Sequence, residues 1–341
     1  MTKLTRRQTL GLIGAGAAAT ATTPFLAKPA LANTTVKVGA LRFTSHAASF
    51  VAFERGYFAD AGLDVEFEFF QAAQPMAVAI ASGDADYAVT AISGALISLA
   101  ERGAAKVIGG ALSEEQGIDG QKIIVSNGAH TDGLTSPANL DGRSFAVTQA
   151  GSSFHYMGSK ISQAEGVEVE FQPLQRVGNI IGALRSDQVD AWSIVPHIAK
   201  PLAASGAVHI IGDVADYIPN YQVTTVFTSS DSAADERAKT EAFLSAFARG
   251  AADFNAALVD KTEGEDAMEE MVRLIHGYVY TDREYADART PIVNGAMRIN
   301  EGAALNMTSV QDQMDWFKSE GLVDASSSTD TLVDPSYVDI L

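Results

Sequence analysis

The sequence predicts an α/β protein with largely parallel strand pairing, folded as two lobes. Three observations carry this. Short apolar strands alternate with helical stretches from Thr35 to Ile211. One strand–helix–strand unit occurs twice, as Gly62–Asp86 and again as Gly166–Asp190. From about Asp235 the periodicity becomes helical throughout.

Taken in order, Thr35–Leu41 alternates into an apolar run and reads as the first strand. A helix follows over Ala47–Phe58 and its region closes at Gly62. Leu63–Phe70 sets Val65, Phe67 and Phe69 against Asp64, Glu66 and Glu68, the period of a half-buried strand. Pro75 suits the first turn of a helix running to Ala81. Tyr87–Val89 is a short buried strand, Gly94–Arg102 is helical, and Lys106–Leu112 is a strand again. Further strands are expected at Ile123–Ser126, Ser144–Thr148, Glu168–Phe171, Ala191–Val195 and Val208–Ile211. Later, Phe243, Phe247, Phe254 and Leu258, then Met268, Met271, Leu274 and Ile275, recur at helical spacing.

The repeat aligns without gaps. Identical pairs include Gly62/Gly166, Val65/Val169, Phe67/Phe171, Gln71/Gln175, Ser82/Ser186 and Asp86/Asp190. Ligands of open α/β sheets sit beyond the carboxyl ends of the strands. Gln71 and Gln175 fall there and are expected to face each other across a cleft.

Hydrophobic residues make up 47% and charged residues 19%, a globular composition. The absence of cysteine excludes disulfides, thiolate metal sites and thiol nucleophiles. A net charge of −18 repels nucleic-acid backbones, so no nucleic-acid partner is expected. Neither a G-x-S-x-G elbow nor a Walker A loop occurs. The histidines (46, 130, 155, 197, 209 and 276) form no i, i+4 pair. No metal, no cofactor and no enzyme activity are therefore expected.

Residues 1–32 read as an export signal of the twin-arginine type. Arg6-Arg7 opens it, an Ala/Gly-rich apolar stretch runs from Gly11 to about Leu26, and Ala30-Leu31-Ala32 offers a cleavage site. A periplasmic mature protein beginning at Asn33 is expected. Removing Lys3, Arg6, Arg7 and Lys28, with no acid, takes the charge from −18 to −22. No later segment is long and apolar enough to cross a bilayer.

Several stretches carry a resemblance: Glu54-Arg55-Gly56-Tyr57-Phe58-Ala59-Asp60-Ala61-Gly62-Leu63-Asp64-Val65-Glu66, Ala81-Ser82-Gly83-Asp84-Ala85-Asp86, Asn139-Leu140-Asp141-Gly142-Arg143, Gly151-Ser152-Ser153 and Gln188-Val189-Asp190-Ala191-Trp192. Through them the chain resembles the periplasmic solute-binding proteins of the nitrate/sulfonate/taurine ABC-importer class, which includes thiamine-pyrimidine binders. The related yeast-type pyrimidine synthases carry a cysteine-rich signature that this chain lacks. The resemblance implies the two-lobed, type II-like periplasmic-binding-protein fold, with two crossover strands and a ligand cleft between the lobes. It places the crossings near Ile123–Ser126 and Gln222–Thr228. Lobe one would then be 33–124 plus 229–341, and lobe two 125–228. It implies a monomer that closes around a small ligand and hands it to an inner-membrane permease.

Within that frame, Gly151-Ser152-Ser153-Phe154 follows a strand and opens a helix, so its N–H groups and hydroxyls suit an anion. Ser93-Gly94 takes the equivalent part in the other lobe, and Gln149 lies beside the first turn. Ser45 and His46 follow the first strand; His46 either donates to a ligand or caps the next helix. Arg42 and Arg176 are the candidate cations for an oxyanion. Glu114 follows a strand and would favour an amine or a ring N–H. Phe43, Phe154, Tyr156, Trp192 and Tyr221 fall near loop ends, with Trp192 and Tyr221 the candidates for stacking. A sulfonate or carboxylate is the favoured ligand. The alternatives are a pyrimidine-like or amine ligand, a binding protein serving a sensor, or an enzyme on the same two-lobe fold.

Overall fold

The computed structural model describes residues 34–341. The expected export signal, with Arg6-Arg7 and Ala30-Leu31-Ala32, lies outside the described residues. Ten strands form two five-stranded sheets among them. They are β1 (Thr34–Ala40), β2 (Leu63–Phe69), β3 (Tyr87–Thr90), β4 (Lys106–Gly110), β5 (Lys122–Ser126), β6 (Arg143–Val147), β7 (Val169–Pro173), β8 (Ala191–Ile194), β9 (Val208–Asp213) and β10 (Thr225–Thr228). The first sheet has the order β2-β1-β3-β10-β4 and the second the order β7-β6-β8-β5-β9. Each is the framework of one lobe.

The expectation of parallel pairing holds for β1 with β2 and β3, and for β6 with β7 and β8. It fails at one strand in each sheet. β10 is antiparallel to β3 and β4, and β5 is antiparallel to β8 and β9. The cause is the path of the chain. It leaves the carboxyl end of β4, crosses to the other lobe, and must start β5 at the junction and run away from it; β9 and β10 do the same in reverse. The passages between sheets therefore fall in 111–121 and 214–224, ahead of β5 and β10. β5 lies wholly in the second sheet and β10 wholly in the first, so the expected divisions at 124/125 and 228/229 move into those segments.

The repeat has a physical basis in both lobes. Gly62 and Gly166 take φ of +77° and +68°, which glycine adopts without the Cβ penalty. Each reverses the chain into an edge strand. Asp86 accepts a hydrogen bond from the Lys37 N–H and Asp190 one from the Ser144 N–H, each at 2.8 Å. The same carboxylate thus pins the same neighbouring strand twice.

Local differences are small. The expected helix over Ala47–Phe58 is broken at Gly56, φ +74°, into Ala47–Glu54 and Tyr57–Asp60. After β10 the chain stays in the first lobe and continues mainly as helices. The Arg237–Phe254 helix buries Phe243 between Tyr87 and Phe58, with ring centroids 4.1 and 5.2 Å away. Truncating such a ring costs about 3–5 kcal/mol.

Candidate functional site

β1, β3, β6 and β8 deliver their carboxyl ends to the junction of the lobes, and each leads into a helix. The turn after β3 places Ser93 as N-cap, its Oγ accepting from the Leu96 N–H at 3.2 Å. The turn after β6 places Ser152 likewise, accepting from the His155 N–H at 3.4 Å. The two turns touch: the Gly94 N–H donates to the Gly151 carbonyl at 3.1 Å. That end of the junction is shut, and the Gly94, Leu96, Gly151, Ser152 and His155 N–H groups there are spent on protein. Gly151 has φ +70°, and a Cβ on it would reach within 3.4 Å of the Phe317 ring.

The floor is a two-stranded ribbon made by the crossing segments. The Glu114 N–H donates to the Tyr221 carbonyl at 2.9 Å and the Val223 N–H to that of Leu112 at 2.9 Å. Alternation puts Glu114 and Tyr221 on one face and Ser113 and Gln222 on the other. The second face is fully bonded: Asn300 accepts from Ser113 at 2.6 Å and its Nδ2 donates to Gln222 at 2.9 Å. The first face is not. Glu114 Oε1 accepts from the Gln121 N–H at 3.0 Å and Nε2 at 3.2 Å, but Oε2 is buried without a partner. Burial pushes this carboxyl up to about 7, against the pull of the Gln121 bonds and Lys122. The Tyr221 hydroxyl is also buried and unpartnered, and its pKa is raised by burial and by Glu114.

The walls bring in side chains from both lobes. His46 is buried at the start of the Ala47–Glu54 helix, and its Nδ1 accepts from the Leu41 N–H at 3.3 Å. It makes no helix cap. His197 lies across from it, on the first turn of the Pro196–Ala204 helix of the second lobe. Its ring meets Phe43 edge-on at 5.1 Å and Tyr280 at 6.1 Å, and the Tyr280 hydroxyl donates to its carbonyl at 2.5 Å. Gly295 makes room for it, since a Cβ there would stand 2.1 Å from His197 Cβ. Burial lowers both imidazoles to about 3, and His46 adds to the effect on His197. Both rings are neutral at pH 7. Trp192 is fully buried, edge-on to Phe154 at 5.2 Å.

Nine buried side-chain polar atoms have no partner among the described residues. Six of them sit at this junction: Thr44 Oγ1, Glu114 Oε2, Trp192 Nε1, Tyr221 Oη and both ring nitrogens of His197. Leaving such a group unpaired costs about 1–3 kcal/mol. Folded proteins do this seldom, so a concentration of such groups calls for a partner from outside the protein, ordered water or a bound molecule.

The other expected site residues are placed as follows. Ser45 is buried beside His46, Phe43 and Phe154 are half-buried, and Ser153 is half-buried on the first turn of its helix. Gln149 is half-buried and its carbonyl accepts from the Ser152 N–H at 3.2 Å. Tyr156 donates to Asp312 and packs on Tyr221 at 5.1 Å. Arg42 is held within the first lobe, 3.7 Å over the Phe69 ring and donating to the Tyr278 carbonyl at 3.1 Å. Gln71, Gln175 and Arg176 are exposed, and no hydrogen bond joins Gln71 to Gln175. Sequence reasoning missed Thr44 and His197. The available signal was Pro196, which opens a helix directly after a strand and so sets His197 at the carboxyl edge of the second sheet.

Among the described residues no helix is long and apolar enough to cross a membrane. None of their His, Asp and Glu side chains form a group of three that could hold a metal ion. No curated protein matches the chain in sequence. Among solved structures, the periplasmic nitrate-binding protein NrtA of Synechocystis PCC 6803 superposes with a TM-score of 0.71 at 14% identity, covering 89% of this chain and 87% of that one. The alkanesulfonate-binding protein SsuA of Xanthomonas axonopodis pv. citri, bound to MOPS, gives 0.68 at 15% identity, with 92% and 100% covered. The desulfurization enzyme DSZB gives 0.59 at 15%, with 89% and 97% covered. These likenesses concern the fold. The profile of NMT1/THI5-like proteins matches residues 43–257, more than half of the sequence. The chain thus belongs to the NMT1/THI5-like family and has the two-lobed fold of periplasmic binding proteins.

Proposed function

We propose that this protein is the solute-binding subunit of an ABC importer, exported to the periplasm as a monomer, where it captures a small sulfonate or carboxylate between its lobes and passes it unchanged to a permease. The observation that carries the reading is the set of six buried, unpartnered polar atoms at the junction. Trp192 Nε1 can only donate, the Thr44 and Tyr221 hydroxyls can donate, and a neutral imidazole donates from one nitrogen. A site rich in neutral donors suits a ligand rich in acceptors. Glu114 fits this reading because its carboxyl, up to about 7, carries a proton in much of the population at neutral pH. The ligands in the names of SsuA and NrtA, an alkanesulfonate and nitrate, support the same class.

A thermal-shift screen over sulfonates, carboxylates, pyrimidines and amines tests the reading. A ligand at a hundred times its Kd stabilises the protein by about 2.7 kcal/mol. We expect the sulfonates or carboxylates to raise Tm, and mass spectrometry to recover the ligand intact. A Tm response confined to amines or pyrimidines would overturn the ligand class, and recovery at a changed mass would favour an enzyme on this fold.

A further inference from the structure

A second groove opens on the side of the lobe junction, with a volume of about 390 Å³. Arg42 and Arg283 line it from the first lobe and Arg185 from the second, while Ile181, Ile198 and Leu202 give it an apolar wall. No acidic residue lines it, in a chain whose Asp and Glu outnumber Lys and Arg 42 to 24. Most arginines elsewhere find carboxylates: Arg55, Arg143, Arg237, Arg249, Arg273, Arg289 and Arg298 are ion-paired, while Arg102 and Arg176 stand unpaired and do not line this groove. The three in the groove have no carboxylate within ion-pair distance. Arg42 lies over Phe69 and Arg283 over Tyr280, 4.5 Å from its centroid. Like charges gathered without a counter-charge repel one another, and an anion placed among them removes that cost.

A second feature points the same way. The Val177–Arg185 helix begins on this groove, and the N–H groups of Val177 and Gly178 have no acceptor among the described residues. Free N–H groups at a helix start favour negative charge.

We infer that this lateral groove is a second binding site, for an organic anion with an apolar body. The acidic group lies among Arg42, Arg185 and Arg283, and the body lies on Ile181, Ile198 and Leu202. Because the arginines come from both lobes, the bound anion ties the lobes together from the side. The groove shares Phe43 and His197 with the junction but not Trp192 or Tyr221, so it lies beside the site that those two complete, and the inference stands whether or not that site binds a sulfonate.

The test is calorimetric titration of the full chain with 2-naphthalenesulfonate. We expect a binding event, with or without a second at the cleft, that Arg185→Ala and Arg283→Ala each weaken at least about tenfold, as for loss of a charge-assisted bond. That event should also weaken with added salt and survive Trp192→Phe. Arg185 is exposed, so its truncation leaves the fold intact. Binding that ignores both arginine variants, binding lost in Trp192→Phe, or no binding at millimolar probe would each overturn the inference.

Discussion

Acidification from pH 7 to pH 4 should loosen the lobe junction through His46 and His197. Both imidazoles are fully enclosed, and burial holds them at about 3, against the 6.5 of a free imidazole. A ring exposed by opening or unfolding takes up a proton below pH 6.5, while the enclosed ring does not until about pH 3. Stability from each ring is therefore complete above 6.5 and is lost as the pH falls through that window. Each tenfold rise in proton concentration costs about 1.4 kcal/mol, so each ring costs about 3 kcal/mol at pH 4. The variants His46→Gln and His197→Gln replace each ring with an amide that does not titrate. Urea unfolding at the two pH values gives the loss for each protein, and the carboxylates common to all three cancel in the comparison. We expect the loss from pH 7 to pH 4 to be smaller by about 3 kcal/mol in each variant. Equal losses in wild type and both variants would refute the claim that these rings are buried and neutral.

Glu114 should act in the opposite sense. Its raised pKa means that its contribution is present below the free value of 4.5 and is lost as the pH rises through about 7. Glu114→Gln should thus raise Tm at pH 8.5 and leave it unchanged at pH 4; a variant no more stable than wild type at pH 8.5 would contradict the burial of Oε2. Trp192→Phe deletes a buried donor that has no protein partner and leaves a small cavity, so the ligand-free Tm should fall modestly from lost packing while affinity for the cleft ligand falls about tenfold, measured by titration. Unchanged affinity in the variant would show that the indole N–H does not hold the ligand. Gly110→Ala would put a Cβ 2.2 Å from the Ala304 carbonyl and 2.8 Å from Asn300 Nδ2. It should cost about 1–3 kcal/mol in urea unfolding, and a neutral result would show that the end of β4 tolerates displacement against Asn300 and Ala304.

The parts of the fold that local patterning could show are those set by neighbouring residues. Alternation placed β2 at Leu63–Phe69, within a residue of the expected strand. The repeat pointed to two like lobes, and the paired roles of Asp86 and Asp190 explain why those residues recur. Strand direction at β5 and β10 was not legible, because it follows from the path between lobes and not from any feature of Ile124 or Val226. The site divides the same way. Ser93 and Ser152 were legible as helix N-caps, because a serine after a strand and before a helix has a local meaning, but that their two turns meet through Gly94 and Gly151 was not. Arg42 was sought as a cleft cation, but its guanidinium lies on Phe69, a contact from the neighbouring strand that no spacing reveals. His197 escaped because its role depends on Phe43, Tyr280 and Gly295, far away in sequence. Among histidines read only for metal spacing, nothing set it apart.

The most direct test of the central claim is a crystal structure with the compound that raises Tm most in the ligand screen. The account predicts density for that compound at the lobe junction, with acceptor atoms within hydrogen-bond distance of Trp192 Nε1, Tyr221 Oη and Thr44 Oγ1. Those are the atoms that now lack partners. Density for the ligand elsewhere, with these three atoms still unpartnered, would contradict it.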